Sequence, residues 1–151
     1  MQRYIRAFLP IALAVALAGF CIATARADVV TDWNQIMFQA ALAARTSPLD
    51  MSRNAAIVQG AVYDAVNGID RSYTPLHVKP AAPRRASPRA AAIQAAYTSL
   101  VRLYPTQQST FDAQRAASLA AVLGKGYRHE RQEAVEAGIR WGQQVADAIW
   151  A

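Results

Sequence analysis

Ser47 to Asp70, SPLDMSRNAAIVQGAVYDAVNGID, is the most completely specified stretch of the chain and decides its fold class. Ser47 is placed to cap a helix, Pro48 suits the first helical position, and Asp50 stands where a capping box puts its carboxylate. At 100° per residue, Met51, Ala55, Val58, Val62, Ala65, Val66 and Ile69 share one arc of about 100°, the width of a core-facing stripe. Ala56, Ile57, Ala61 and Tyr63 occupy its shoulders. Arg53, Gly60, Asp64 and Asn67 gather on the far side. A helix this apolar is expected to pack on more than one side, and Asn67-Gly68 predicts a left-handed stop at its C-terminus.

Working outward, Thr31 can cap a preceding helix through DWNQIMFQAALAA, with Trp33, Ile36, Met37, Ala40 and Ala44 on one side. Only Arg45-Thr46-Ser47 separates the two helices, so they are expected to lie together as a hairpin. Downstream, residues 71–88 concentrate Pro75, Pro80, Pro83 and Pro88 with Lys79, Arg84 and Arg85. This Pro/Arg-rich connection reads as a solvated extended loop, with an anion-binding or docking segment as the alternative.

Ser87-Pro88 repeats the Ser47-Pro48 device and opens a third helix with Ile93, Tyr97, Leu100, Val101 and Tyr104 as its stripe, ended by Pro105. A fourth helix is expected from about Thr106 to Leu123, anchored by Phe111 and terminated by Gly124-Lys125-Gly126; its many alanines predict close packing. The fifth starts near Arg128 and carries Val135, Ile139, Gly142, Ala146, Ile149 and Trp150 on one face. Gly138 and Gly142, one turn apart, let another backbone approach. No cap follows Trp150-Ala151, which predicts a chain cut in mid-helix. No segment alternates with period two and no repeat emerges, so the expected fold is an all-α bundle of about five helices.

The first 27 residues read as a secretory signal peptide. Arg3 and Arg6 precede the apolar run Ala7 to Thr24, and Ala25-Arg26-Ala27 offers a small-x-small cleavage site. An uncleaved membrane anchor is the alternative; Phe20 before Cys21 argues against a lipoprotein anchor. Residues 28–151 then form one helical scaffold domain, secreted or periplasmic, with 13 basic against 10 acidic side chains and no cysteine. No dense Lys/Arg stripe interleaved with aromatics remains, so no nucleic-acid partner is expected, nor a stable membrane anchor after cleavage.

Catalytic constellations are missing: no G-x-S-x-G, H-E-x-x-H, C-x-x-C, P-loop or dinucleotide fingerprint occurs. Asp64 and Glu133 have neither a histidine nor a second carboxylate facing the same way. Arg53 shares a face with Asp64 but stands about 16 Å along the axis, too far to pair. Asp64 is therefore expected as a structural carboxylate bonded to another helix. Glu133 and Glu136 are expected to pair with Arg140 on the surface. His77 has no second ligand at metal spacing and reads as a loop histidine. No catalytic, cofactor-binding or metal residue is assigned.

The blocks SRNAAIVQGAVYDAVNGID, ASPRAAAIQAAYTSLVRLYPTQQSTFDAQRAASLAAV and GIRWGQQVADAIWA follow, in this order, a secretory signal and a VTDWN opening. Together they resemble the N-terminal helical half of secreted bacterial proteins of the vanadium-dependent haloperoxidase group, within the acid phosphatase type 2 superfamily. Where related sequences often have histidine in the first block, this chain has Gln59. The resemblance implies an oxyanion cradle, built further along a full-length chain from a Lys, an Arg-Pro, a Pro-Ser-Gly-His and a Ser-Arg with a later His, where vanadate or a phosphoryl group is held. None of these motifs lies in this chain: Lys79 and Lys125 lack the Arg-Pro, and His77 and His129 have other neighbours. The expected function is thus a scaffold portion inactive alone, partnered by a missing C-terminal helical half or another helical chain. A small complete periplasmic interaction module is the alternative. Neither halide oxidation nor phosphoester hydrolysis is assigned.

Overall fold

A computed structural model describes residues 28–124 and 130–151. The expected signal peptide, Lys125-Gly126, Arg128 and His129 lie outside the described residues; the last helix begins at Gln132 after an extended Arg131, later than the start expected near Arg128.

The described chain is all-α: α1 (Val29–Ala43), α2 (Pro48–Asp70), α3 (Pro88–Leu103), α4 (Gln108–Leu123) and α5 (Gln132–Ile149), with a 3-10 turn at Pro105–Gln107 before α4. No strand occurs among the described residues. The two Ser-Pro devices start helices as read. Ser47 Oγ accepts the Asp50 N–H at 3.2 Å and Ser87 Oγ accepts the Ala90 N–H at 2.9 Å, each satisfying an end donor, with proline in the first turn. Asp50 does not complete a reciprocal box; its carboxylate takes the Ser47 hydroxyl at 2.7 Å.

Helix α3, not α2, is the centre of the bundle. It lies between α2 and α5 and also meets α1 and α4. Ala90, Ala91, Ile93, Ala95, Ala96 and Leu100 have no exposed surface, and the polar Gln94, Thr98 and Ser99 are buried with them. Small side chains on α3 and glycines on α5 let these two backbones close up. A Cβ on Gly138 would strike the Ser87 carbonyl oxygen, and one on Gly142 would strike that of Ala91. Backbone oxygens cannot swing away, so both positions require glycine. Ser87 N–H donates to Ala134 O at 2.9 Å, fastening the start of α3 to α5.

Helix α2 crosses the same hub. Its Val58, Val62 and Ala65 are buried, with Met51, Ala55, Val66 and Ile69 half-buried beside them. The far side is also covered, since Asp64 and Asn67 are buried. Asn67-Gly68 is not the stop. Helix α2 continues to Asp70, and the left-handed residue is Arg71 at φ 52°. Gly68 serves packing instead: a Cβ there would come within 2.5 Å of Trp141 Cζ2. The same indole donates its Nε1–H to Ala65 O at 2.8 Å, clamping α5 onto α2.

The hairpin of α1 and α2 does not form as expected. The two helices touch sparsely, and α1 packs more on α3. The link is a Schellman turn, with Arg45 left-handed at φ 52°, its N–H on Leu42 O, and Thr46 N–H on Ala41 O at 2.9 Å. Helix α1 starts earlier than Thr31, at Val29 after Asp28. Trp33, Met37 and Ala40 face the core as read, but Ala44 is exposed.

Helix α4 departs most from expectation. Phe111 and Val122 are its buried residues, whereas Ala113, Ala116, Ala117, Ala120 and Ala121 lie on the surface. Its alanines are not packed against the described residues of this chain. Glu133 and Glu136 form no pair with Arg140; the ion pairs among the described residues are Arg89–Glu130 at 2.7 Å and Arg102–Asp147 at 2.5 Å. Both join different elements, while Glu136 accepts from Gln132 at 2.9 Å.

Candidate functional site

The polar far side of α2 fastens the 71–88 connection. Asp64, 1% exposed, accepts three backbone N–H groups: Leu76 on one carboxylate oxygen, His77 and Val78 on the other, each at 2.8 Å. One turn on, the Asn67 amide pairs with both backbone groups of Tyr73, at 2.8 and 2.9 Å. Tyr63 donates its hydroxyl to Thr74 O at 3.1 Å, and Ala82 N–H donates to Gly68 O at 3.1 Å. Residues 73–82 therefore form a compact loop closed on the adjacent positions 67 and 68, with Val78 plugged beneath it at 6% exposure. Most side chains of the connection are solvated, as read, Val78, Ala86 and Ser87 excepted, but its backbone is pinned. Asp64 is the buried structural carboxylate expected, except that it binds this loop rather than another helix.

Between the loop, the start of α1 and one flank of α2 lies a half-open cavity of about 280 Å³. Val30, Val62 and Val66 give it apolar walls, and Tyr63 and Tyr73 line it with aromatic rings. Gln59, Asn67, Asp70 and Ser72 complete it. Two of these polar groups are spoken for, because Asn67 is bonded to Tyr73 and the Gln59 amide donates to Asn34 Oδ1. Asp70 makes no ion pair among the described residues and is exposed. Gln59 thus ties α2 to α1 at the cavity's edge, a contact no local pattern announces.

A second polar cluster crosses α3, α4 and α5. Gln94 Nε2 donates to Thr98 Oγ1 at 3.1 Å and to Gln143 Oε1 at 2.8 Å, while Arg115 Nε donates to Gln94 Oε1 at 2.6 Å. Arg115 also lies over the Tyr97 ring, 5.2 Å from its centroid. Tyr97 donates its hydroxyl to Asp112 at 2.6 Å. That hydrogen bond, then burial and the Asp112 charge, hold the phenol proton on and raise its pKa above the ordinary 10.0, against Arg115, which lowers it. At the far end Asp147 receives Gln143 and Arg102, and Arg102 covers the Trp150 ring at 5.7 Å. Every member has a partner, so this cluster locks three helices together rather than presenting reactive groups.

The other weighed residues do not converge. His77 and Lys79 are exposed on the pinned loop, Arg53 and Glu133 are exposed on α2 and α5, and no group of three metal-ligating side chains occurs among the described residues. The cavity does not suit vanadate or phosphate: it is lined by no Lys, Arg or His, and its Asp70 carboxylate repels an oxyanion. No helix among the described residues is long and apolar enough to cross a membrane. No family model matches the chain, and neither a curated protein nor a solved structure matches it.

Proposed function

We propose that this chain is the N-terminal helical scaffold portion of a secreted vanadium haloperoxidase-like or acid phosphatase-like protein, without catalysis of its own. The observation that carries the reading is the order of the three sequence blocks after an apolar leader and a VTDWN opening. It is supported by apolar surface that a further helical half would cover. Phe38 and Leu42, one turn apart on α1, are 47% and 65% exposed, and the alanines of α4 lie on the surface of the same bundle. Leader cleavage after Ala27 and a periplasmic or secreted location belong to the same proposal.

The test is an activity assay on the purified protein, with bromide and peroxide in the presence of vanadate, and separately with a generic phosphate ester. Turnover at background is expected in both. Enzyme-like bromide oxidation or phosphate release would overturn the scaffold reading. The rival, a small periplasmic helical interaction module, is favoured by the same Phe38 and Leu42 pair taken as a docking spot. The coding DNA past codon 151 separates the two: an in-frame continuation holding Pro-Ser-Gly-His supports the scaffold, and a stop codon supports the module.

A further inference from the structure

The cavity beside the pinned loop has a chemistry that none of the preceding roles uses. It is lined by Val30, Val62 and Val66 from two helices and by Tyr63 and Tyr73, and its one charged lining residue is Asp70. Asp70 occupies an unusual place. It ends α2, where the helix dipole is already negative and cations are favoured, and no basic residue stands in that last turn. Arg71 follows it directly but closes no ion pair with it among the described residues. A carboxylate at a helix C-terminus without a cationic partner is electrostatically misplaced for stability, yet well placed to attract a cation.

We propose that this cavity binds a small organic ammonium ion, an alkyl- or trimethylammonium group on a short apolar body. The volume of about 280 Å³ lies just below the ~300 Å³ at which small-molecule pockets begin, so the ligand is a small one. Two tyrosine rings offer negative π-faces to the ammonium head, Asp70 and the end of α2 supply the countercharge, and Val30, Val62 and Val66 receive the methyl or alkyl carbons. An inorganic cation finds too few free oxygens here, because the Asn67 and Tyr63 polar atoms are already bonded to the loop. The loop's pinning matters to the site. Asn67 fixes the backbone of Tyr73 while the residue stays 73% exposed, so Tyr73 lines the cavity without being buried.

The test is an NMR titration of the purified chain with choline and with 3,3-dimethylbutan-1-ol, its uncharged isostere. Saturable shifts are expected at Val30, Val62, Val66, Tyr63 and Tyr73, with choline about tenfold tighter than the alcohol, the scale of a partly desolvated cation–π contact. Asp70→Asn and Tyr73→Leu should each weaken choline severalfold, and Tyr73→Phe, which keeps the ring face, should restore it. Both positions are exposed, so the unfolding midpoints should stay at the parent value. Equal binding of choline and the alcohol, indifference to Asp70→Asn, or no saturation by about 50 mM choline, far above the ~1 mM scale of weak ligands, would each overturn the proposal. The outcome is independent of the scaffold reading, which concerns bromide and phosphate chemistry.

Discussion

Asp64→Ala tests whether the loop is held by one buried carboxylate. The substitution removes three hydrogen bonds to a charged acceptor, each at 2.8 Å, and such bonds contribute about 1.5–3 kcal/mol apiece. The three do not count equally. Leu76 is 68% exposed and His77 is exposed, so water can reach their N–H groups, whereas Val78 is 6% exposed and its donor stays dry. A loss of about 3–5 kcal/mol follows, one dry orphan donor plus two partly compensated ones. For a domain of this size that lowers the thermal midpoint by roughly 12–20 °C. Asp64→Asn keeps one acceptor oxygen, which can serve His77 and Val78 while Leu76 turns to water, so about half the loss is expected. Circular dichroism during thermal and urea unfolding measures both variants. Hydrogen exchange adds a local signature, faster exchange at Leu76, His77 and Val78 even in the milder variant. An Asp64→Ala protein within about 0.5 kcal/mol of the parent, or one more stable than Asp64→Asn, would refute the pinning.

Two glycines give opposite expectations. Gly142→Ala drives a methyl into the Ala91 carbonyl and should destabilise by about 3 kcal/mol or more, whereas Gly60→Ala meets nothing within 4 Å inside α2 and should stabilise by about 0.5–1 kcal/mol; urea midpoints of both proteins decide it. Tyr97 carries a pH prediction. Its folded pKa is raised above the unfolded value, so the Asp112 bond contributes stability below pH 10 that is lost as pH climbs through the raised value. Tyrosinate absorbance should show one phenol ionising after the others, a late component missing from Tyr97→Phe.

What the sequence disclosed was local. Ser47-Pro48 and Ser87-Pro88 announce helix starts because the capping oxygen and the donor it satisfies lie three residues apart. Gly138 and Gly142 announce a close approach because a helix interior carries glycine at a cost unless space is needed. The misjudged features depend on partners distant in the chain. Helix α3 reads as a modest amphipathic helix, since alanine, glutamine and threonine carry little hydropathy, yet it is the hub because Gln94 and Thr98 find Gln143 45 to 49 residues away. Asn67-Gly68 has the composition of a helix stop, but the bulk that claims Gly68 belongs to Trp141, 73 positions on. Asp64 was legible as buried and paired; its partners are backbone groups, which composition never marks. The cavity was not legible at all, because it arises where the start of α1, with Val30, lies by a flank of α2 that the Gln59–Asn34 bond ties to it.

The two-anchor attachment of α4 shapes how the molecule breathes. Phe111 and Val122 stand three turns apart, and the surface between them is mostly alanine facing water. Most of the burial on which cooperative unfolding depends therefore lies in the sandwich of α2, α3 and α5, with α4 riding on it as a unit of lower stability. Sub-global opening of such a unit would leave the glycine-lined seam of α3 and α5 shut. Opening breaks the Arg115 contacts to Gln94 and Tyr97 and wets a row of α3 that is otherwise buried. Detachment of α4 from α3 would thus let solvent reach the interior of the hub.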